Sequence, residues 1–193
     1  MQRNLAAQYI LNRLKDELSP DLTYHNVTHT EDVYSAAQLI AREEGITGRD
    51  LELTLTAALF HDTGFLINGM GHGHEVLSCS IARETLPAFE YSATDISLIT
   101  ELILATEIPQ RPDRLLEQVL CDADLDYLGR DDFFQRSELL YNEMRKLGAV
   151  ASRTDYDRLQ LAFLRGHTYF TETSKRMRNQ KKLDNLQKLI ALS

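Results

Sequence analysis

Residues 51–62 read Leu-Glu-Leu-Thr-Leu-Thr-Ala-Ala-Leu-Phe-His-Asp, an almost unbroken apolar segment that ends in the adjacent pair His61 and Asp62. Thr63 and Gly64 follow the pair directly. A histidine beside an aspartate is costly to bury unless each side chain has a partner, and a metal ion is the commonest single partner that suits both. The segment therefore predicts an apolar helix with a metal site at its end.

The length and composition indicate one helical domain. With 193 residues, the chain is long enough for one well-buried domain and too short for two comfortable ones. The hydrophobic content of 43% and the charged content of 26% are ordinary for a globular protein. Only 9 glycines and 4 prolines are present, which argues against a loop-rich or all-β fold. We expect a single all-α domain over residues 1–193.

The net charge of the chain argues against one class of function, and its cysteines favour one cellular location. A formal net charge of -8 disfavours non-specific binding to nucleic acid, which needs a basic surface. Cys79 and Cys121 lie in apolar helical surroundings and indicate reduced core residues, which favours a cytoplasmic location. No stretch approaches the roughly 20 apolar residues of a membrane span, and the first residues lack a signal-peptide pattern. Neither a nucleic acid nor a membrane is expected as a partner.

Apolar spacing and cap residues predict seven or eight helices and no strand. The predicted helices cover residues 5–18, about 26–45, 48–62, 74–86, 92–105, about 112–129 and 131–148, with one or two more from residue 152. Thr28 and Glu31 have the form of a capping box, Gly64 suits a left-handed C-cap, and Pro112 suits a first helical turn. Residues 68–73 form the clearest loop. The basic stretch 175–182 is expected to be the solvated face of a helix.

The order of polar residues along the chain resembles that of a known family. A first histidine, then His-Asp, then a distant aspartate is the pattern of the HD family of metal-dependent phosphohydrolases. Here it falls on His29, His61, Asp62 and either Asp122 or Asp124. Residues 24–29, Tyr-His-Asn-Val-Thr-His, also resemble the opening motif of cyclic-nucleotide phosphodiesterases, which share this helical core. The resemblance implies an HD-type helical bundle with a metal-binding core at about 24–129 and further helices at 130–193.

The same resemblance assigns roles to particular residues. It makes His29 a ligand and His25 a candidate general acid, although His25 could instead orient a phosphate or face solvent. A helical wheel places Asp122 and Asp124 on opposite flanks of the apolar stripe, so geometry leaves the choice open. The family pattern Asp-x-x-x-Leu-Gly, here residues 124–129, favours Asp124 as the ligand. The other aspartate would then orient a ligand histidine, and Asp126 would face solvent or cap a helix.

A second metal has weaker support in the sequence. Some HD proteins hold two metals through two further histidines, and His72 or His74 could supply the first of these. Thr106 stands where the second histidine is usual, which makes a complete second site doubtful. His74 and Glu75 could instead bind phosphate, or a weakly held ion through water. His72 is more simply explained as a loop residue.

The implied activity is phosphoester hydrolysis with a divalent ion, which could be Mn, Fe, Co, Ni, Zn or Mg. The ion would polarise a phosphoryl oxygen and lower the pKa of a bound water. Asp62 could accept a proton and His25 could protonate the leaving group. The expected partner is a small phosphorylated substrate such as a nucleotide. The rival is a non-catalytic nucleotide-binding or interaction module that retains a structural metal. The sequence leaves open the substrate and whether the chain forms a homo-oligomer.

Overall fold

The computed structural model describes residues 2–67 and 73–192, and these residues are arranged entirely in helices and connecting segments. Nine α-helices and no strand occur in this part of the chain, so the all-α fold class is confirmed, with more helices than the seven or eight expected. The helices are α1 (Arg3–Glu17), α2 (Val27–Glu43), α3 (Gly48–Phe60), α4 (His74–Thr85), α5 (Ala93–Leu104), α6 (Leu115–Asp124), α7 (Phe133–Lys146), α8 (Arg153–Gly166) and α9 (Glu172–Leu192). Short 3-10 turns cover Thr63–Leu66, Leu86–Phe89 and Asp126–Gly129.

Helix α3 lies at the centre of the packing. Every residue from 53 to 60 is buried, and α3 contacts α1, α2, α5 and α6. A helix that is apolar on all sides is stable only when other elements surround it. The surrounding helices add Ile10, Ala37, Ile40, Ile99, Leu102 and Leu120 to the same core. His61 and Asp62, at the end of α3, are consequently buried in the protein.

Helix α2 begins where the sequence predicts, but a different residue caps it. The Asn26 side chain accepts hydrogen bonds from the backbone N–H groups of Thr28 and His29, at 2.9 and 3.3 Å. The predicted capping box of Thr28 and Glu31 is therefore wrong, because Asn26 precedes Thr28 and already satisfies the free N–H groups of the first turn. This cap fixes the position of His29 in the first turn.

Helix α6 begins three residues later than Pro112 suggests. Arg114 is its N-cap residue, and the Glu117 carboxylate accepts hydrogen bonds from the backbone N–H groups of Asp113 and Arg114, at 2.8 and 3.1 Å. Pro112 therefore lies in the preceding loop, and the prediction that it occupies the first helical turn is wrong. The Glu117 carboxylate, which accepts from both backbone N–H groups, determines the start of the helix more strongly than the fixed φ of proline does here.

Gly64 is needed for close packing, not for a left-handed cap. It lies in the 3-10 turn Thr63–Leu66 and is absent from the residues with positive φ, so the predicted C-cap role is wrong. A Cβ atom at Gly64 would lie 2.0 Å from the backbone oxygen of His74. The absence of a side chain therefore allows the start of α4, with His74, to approach the end of α3.

The C-terminal helix α9 is anchored on α6 and on the turn that follows it. Asp122 accepts hydrogen bonds from the backbone N–H groups of Phe170 and Thr171, at 2.9 and 2.8 Å, and from the Thr171 hydroxyl at 2.6 Å. The Asn185 amide donates to the carbonyl oxygens of Leu128 and Arg130, both at 3.0 Å. These contacts fix residues beyond 130 onto the helices that carry the polar cluster.

Two expectations about exposed charges are corrected by the same packing. Asp126 was expected to face solvent or cap a helix, but it is only 5% exposed and accepts a hydrogen bond from the Arg178 guanidinium at 2.6 Å. The basic stretch 175–182 was expected to be a solvated face. Arg176 is exposed, whereas Arg178 pairs with Asp126 and Lys182 is buried. A charge that joins two packed elements is buried because it has a partner there.

Two smaller observations concern the cysteines and the helices as a whole. Cys79 and Cys121 are buried and unpaired, as the sequence predicts. Among the residues with described positions, no helix combines the length and the apolar character that crossing a membrane would require.

Replacing Gly64 tests the close contact with α4. We expect Gly64→Ala to lower the free energy of unfolding by roughly 1–3 kcal/mol, because the added methyl group must displace the backbone of His74. Gly166→Ala is the matched control, since a Cβ there meets nothing within 4 Å, and should change stability by less than about 0.5 kcal/mol. Urea denaturation of both variants measures the difference. Equal stabilities would show that α4 moves away without cost.

Candidate metal centre

The buried polar cluster forms where three packed helices end or begin. His29 lies in the first turn of α2, His61 and Asp62 directly follow α3, and Asp124 is the last residue of α6. Helix α2 packs against both α3 and α6, so these ends meet at one place. The four side chains singled out in the sequence as metal ligands are therefore brought together by the fold.

Three of these residues form a group that could hold a metal ion. The Nε2 atoms of His29 and His61 are 3.4 Å apart, and Asp124 Oδ1 lies 3.3 Å from the first and 3.5 Å from the second. Two ligand atoms at about 2.1 Å from a common ion lie about 3.0–3.4 Å apart at the angles usual in octahedral and tetrahedral sites. The spacing of the three atoms thus fits a shared ion, and the mixed nitrogen and oxygen donors suit a divalent transition metal.

The two carboxylate oxygens of Asp62 face different neighbours. Its Oδ2 lies 3.3 Å from His29 Nε2 and 3.2 Å from His61 Nε2, and it is buried without a hydrogen-bond partner among the described residues. Its Oδ1 lies 3.2 Å from His74 Nε2. An oxygen this close to two imidazole nitrogens, yet not hydrogen-bonded to either, is arranged as a ligand of a shared cation would be.

The tautomer of His61 is set by its backbone neighbour. His61 Nδ1 donates a hydrogen bond to the carbonyl oxygen of Ala58 at 2.8 Å. In the neutral ring, which is the form that binds a metal ion, the proton therefore resides on Nδ1, and the lone pair of Nε2 is directed at His29, Asp62 and Asp124. A hydrogen bond from the second ring nitrogen to a carbonyl is the usual way in which a protein orients a metal-binding histidine.

The charges in the cluster shift one another's pKa values strongly. Burial alone would lower the pKa of His29 and His61, but the adjacent Asp62 and Asp124 carboxylates outweigh it and raise both. Burial would likewise raise the pKa of the two aspartates, but the neighbouring imidazoles hold both pKa values below the usual range. The cluster favours ionised carboxylates and therefore has a strong affinity for positive charge.

The structure separates the two aspartates that the sequence left open. Asp124 lies in the group with His29 and His61, whereas the Asp122 carboxylate is directed at Phe170 and Thr171. The expectation that the second aspartate orients a ligand histidine is therefore wrong. Asp122 anchors the start of α9, because the two backbone N–H groups there need an acceptor.

His25 is held beside the cluster by a residue that sequence reasoning missed. Its Nδ1 donates a hydrogen bond to Glu143 on α7, and the other Glu143 oxygen accepts from the backbone N–H groups of Tyr24 and His25, at 2.7 and 3.0 Å. The ring also stacks on Phe65 at a centroid distance of 4.5 Å. Glu143 is almost fully buried, and the His25 side chain fixes its pKa below the usual value despite that burial.

A signal for Glu143 does exist in the sequence. It lies three residues after Leu140 and one before Met144, on the apolar side of α7, where an unpaired carboxylate would be costly. Its partner could not be identified because 118 residues separate it from His25. Only the fold brings the two together.

Of the residues considered for a second ion, His74 and Glu75 lie beside Asp62. His74 Nε2 lies 3.2 Å from Asp62 Oδ1 and 3.5 Å from Glu75 Oε1. Thr106 lines the same cavity, and its hydroxyl donates to the Ile103 carbonyl at 2.8 Å. His72 lies outside the described residues.

The cluster opens through Asp62 and Asp124, next to His25, onto a cavity of about 300 Å³, which is called here the main cavity. One end is polar and is lined by His25, Asp62, His74, Glu75 and Asp124. The other end is largely apolar and aromatic and is lined by Tyr127, Leu140, Met144, Tyr156 and Phe163. The volume lies at the lower limit of small-molecule sites, which indicates a small ligand with one charged and one apolar part.

Comparison with known sequences identifies one family. Residues 26–126 match the HD domain, a region that contains the cluster residues from His29 to Asp124. An uncharacterised protein of Clostridium beijerinckii is 34% identical over 97 residues. That match covers 50% of this chain and 61% of the other protein, so the chain spans less than two thirds of this relative.

Solved structures with similar folds cover nearly the whole chain. A predicted HD superfamily hydrolase from an uncultured Thermotogales bacterium is 21% identical with a TM-score of 0.61, over 95% of this chain and 91% of the other. A Lactobacillus plantarum protein is 20% identical with a TM-score of 0.69, over 98% and 95%. YpgQ of Bacillus subtilis, in complex with ADP, is 18% identical with a TM-score of 0.69, over 99% and 96%. At these identities the likeness shows the fold alone.

The two aspartates provide a matched test of the metal group. We expect Asp124→Ala and His61→Ala to lose the bound divalent ion, whereas Asp122→Asn keeps it. Asp122→Asn should instead cost roughly 1–3 kcal/mol of stability, because a backbone N–H group at α9 loses its acceptor. Elemental analysis and thermal unfolding separate the two effects. Loss of the ion in Asp122→Asn with retention in Asp124→Ala would move the ligand to Asp122.

Proposed function

This chain belongs to the HD domain family, and from that premise we propose that it is a metal-dependent phosphohydrolase acting on a nucleotide or another small phosphoester. The observation that carries the proposal is that two groups of residues lie beside the same cavity. One is the group of His29, His61 and Asp124 with Asp62 beside it, and the other is His25 oriented by Glu143. A purely structural metal site would need the ligand group but would not need a histidine oriented by Glu143.

The proposed ion ligands are His29, His61, Asp62 and Asp124. A divalent ion at this position would polarise a phosphoryl oxygen and make water a better nucleophile at neutral pH. Mn, Fe, Co, Ni, Zn and Mg are all compatible with two nitrogen and two carboxylate donors. The polar end of the main cavity provides the space in which a phosphate would lie next to the group.

His25 is proposed as the proton donor to the leaving oxygen. Since its Nδ1 is hydrogen-bonded to Glu143, Nε2 is the nitrogen left for substrate, and His25 lines the main cavity. The hydrogen bond to the buried Glu143 carboxylate fixes the orientation of the His25 ring, as a positioned proton donor needs. His25 would thus be a catalytic residue and Glu143 a positioning residue.

Asp62 is proposed to accept a proton from the attacking water molecule. Its pKa lies well below the usual range, because the nearby imidazoles outweigh burial, so the carboxylate is ionised near neutral pH. Oδ2 faces His29 and His61, while Oδ1 faces the His74 side of the cavity. An oxygen on that side can accept a hydrogen bond, and then a proton, from an attacking water molecule.

A nucleotide is the substrate class that several observations favour. The main cavity has a charged end for phosphate and an aromatic end suited to a planar organic group. One structurally similar protein, YpgQ, was crystallised with ADP. The proposal covers both a phosphomonoester and a phosphodiester substrate.

Removal of the general acid tests the chemistry. We expect metal-loaded His25→Ala to retain its ion and to lose about 10²–10⁴-fold in kcat with alkyl phosphates, whose leaving oxygen needs a proton. 4-Nitrophenyl phosphate leaves without protonation and should be affected least. Steady-state kinetics with both substrates gives the comparison. Equal rates of parent and variant on both substrates would remove His25 from the mechanism.

Glu143→Gln tests the positioning role separately. We expect a smaller loss of kcat than in His25→Ala, and a larger loss with alkyl phosphates than with 4-nitrophenyl phosphate, because a neutral amide holds the His25 ring less firmly than a carboxylate does. Glu138→Gln on the same helix is the control, since Glu138 is exposed and pairs with Arg153 away from the cavity. An equal loss with both substrates in Glu143→Gln would limit this residue to a structural role.

Chelation tests the class of function. We expect hydrolysis of small phosphoesters by the purified chain to stop on addition of a chelator and to return when a divalent ion is added. If the metal-loaded parent cleaves no phosphoester in a broad screen yet binds nucleotides, the chain is a non-catalytic nucleotide-binding module.

A further inference from the structure

A second cavity of about 350 Å³, called here the side cavity, adjoins the main cavity. Both cavities are lined by Ile108, Leu125 and Phe163, which are called here the shared wall. Phe163 also belongs to the apolar end of the main cavity, where the planar group of the substrate is proposed to lie. An organic group that extends past the apolar end therefore meets the shared wall before it reaches the side cavity.

The side cavity suits an uncharged extension of that organic group. Beyond the shared wall, its lining includes the apolar residues Pro109, Ala162 and Phe170. Among the described residues that line it, none carries a carboxylate, an ammonium or a guanidinium group. Burial and the charge of Lys182 lower the pKa of His167, which also lines the cavity, to about 3, so its ring is neutral near neutral pH. A neutral aromatic or aliphatic group would therefore need no charged partner here.

The three residues of the shared wall differ in how firmly they are packed. Leu125 is 7% exposed and belongs to a buried apolar cluster with Leu128 and Phe133. Phe163 is half-buried and packs against the same cluster. Ile108 is 53% exposed and is not among the residues of either core cluster. The Ile108 side chain is thus the part of the shared wall that can be changed without loss of a core contact.

The position of Ile108 places it where the two cavities open toward solvent. It lies in the segment that connects α5 to α6, between Leu104 and Leu115. A side chain that lines two cavities and is still half exposed lies at their outer edge. Since the core holds Leu125 and Phe163 in place, the size of the side chain at position 108 decides how wide the connection between the cavities is.

We propose that Ile108 is a specificity-determining residue that limits how far the organic group of the substrate extends from the main cavity into the side cavity. The inference rests on the proposed function for the position of the phosphate, whereas the shared wall is a feature of the cavities themselves. A smaller side chain at this position adds room and apolar contact area for a long organic group, and a larger one removes them. The ligand class concerned is a phosphoester whose uncharged organic group is longer than the apolar end.

Equilibrium binding of phosphonates to the metal-loaded full chain tests this role without turnover, because their P–C bond is not a phosphoester bond. Phenylphosphonate is the short probe, biphenyl-4-ylphosphonate is the long probe, and methylphosphonate is the anion with almost no organic group. We expect Ile108→Ala to raise the affinity of the long probe relative to the short probe by about 3–10-fold, and Ile108→Trp to lower it by a similar factor. Isothermal titration calorimetry gives the dissociation constants.

Opposite effects of the two variants separate a change of cavity size from a disturbed loop, which would weaken the long probe in both. Methylphosphonate should bind both variants as it binds the parent. Leu104→Ala is the matched control and should leave the affinity ratio unchanged, because it shortens an exposed apolar side chain that lines neither cavity. A ratio that stays constant in both Ile108 variants, or that shifts in the same direction in both, would overturn the proposal.

The role of Ile108 and the proposed function can fail separately. Phosphonate binding that depends on residue 108, without hydrolysis of any phosphoester, would support the inference and refute the hydrolase. Hydrolysis of phosphoesters with an unchanged affinity ratio would do the reverse. If the metal-loaded parent binds no phosphonate, the position of the phosphate and the role of Ile108 are both wrong.

Discussion

The imidazoles of His29 and His61 and the carboxylate of Asp62 are buried at the ends of α2 and α3, with the half-buried carboxylate of Asp124 beside them at the end of α6. Buried charges must be paired, and each of these has another within 3.5 Å. The central helix α3 delivers His61 and Asp62 to this point only because α1, α2, α5 and α6 cover its apolar surface. The core and the cluster thus depend on each other. The apolar packing excludes water from the charges, and the paired charges allow three helix ends to be buried.

The helices beyond the HD domain match complete the site. Glu143 on α7 orients His25, and α8 supplies much of the apolar end of the main cavity. Asp122 on α6 and Asp126 in the following turn hold α9 in place through Thr171 and Arg178. The match ends at residue 126, so Glu143 and helices α7 to α9 lie outside the matched region.

Sequence reasoning reached the features that depend on local pattern and missed those that depend on distant partners. The helices and the central apolar segment follow from spacing and residue type, which short stretches contain, whereas the set of four clustered residues is what the resemblance to the HD family implies. The role of Gly64 could not be inferred, because the backbone of His74 approaches it only in the folded chain. Asp126 was placed at the surface because its partner, Arg178, lies 52 residues away. Glu143 escaped notice for the same reason. The role of each residue depends on a partner that tertiary packing brings to it.

The electrostatics of the main cavity explain why an ion would be needed even before chemistry begins. The chain carries a net charge of -8, and Asp62, Glu75 and Asp124 line the end of the cavity where a phosphate would lie. A phosphate beside three carboxylates is repelled unless positive charge compensates for them. Only His25 and His74 among the described lining residues can supply it from the protein, and His25 already faces Glu143. A divalent cation between the carboxylates and the phosphate reverses the sign of the field. The ion would therefore determine substrate affinity as well as rate, so a rise in KM on its removal is as much an expectation of this geometry as a fall in kcat.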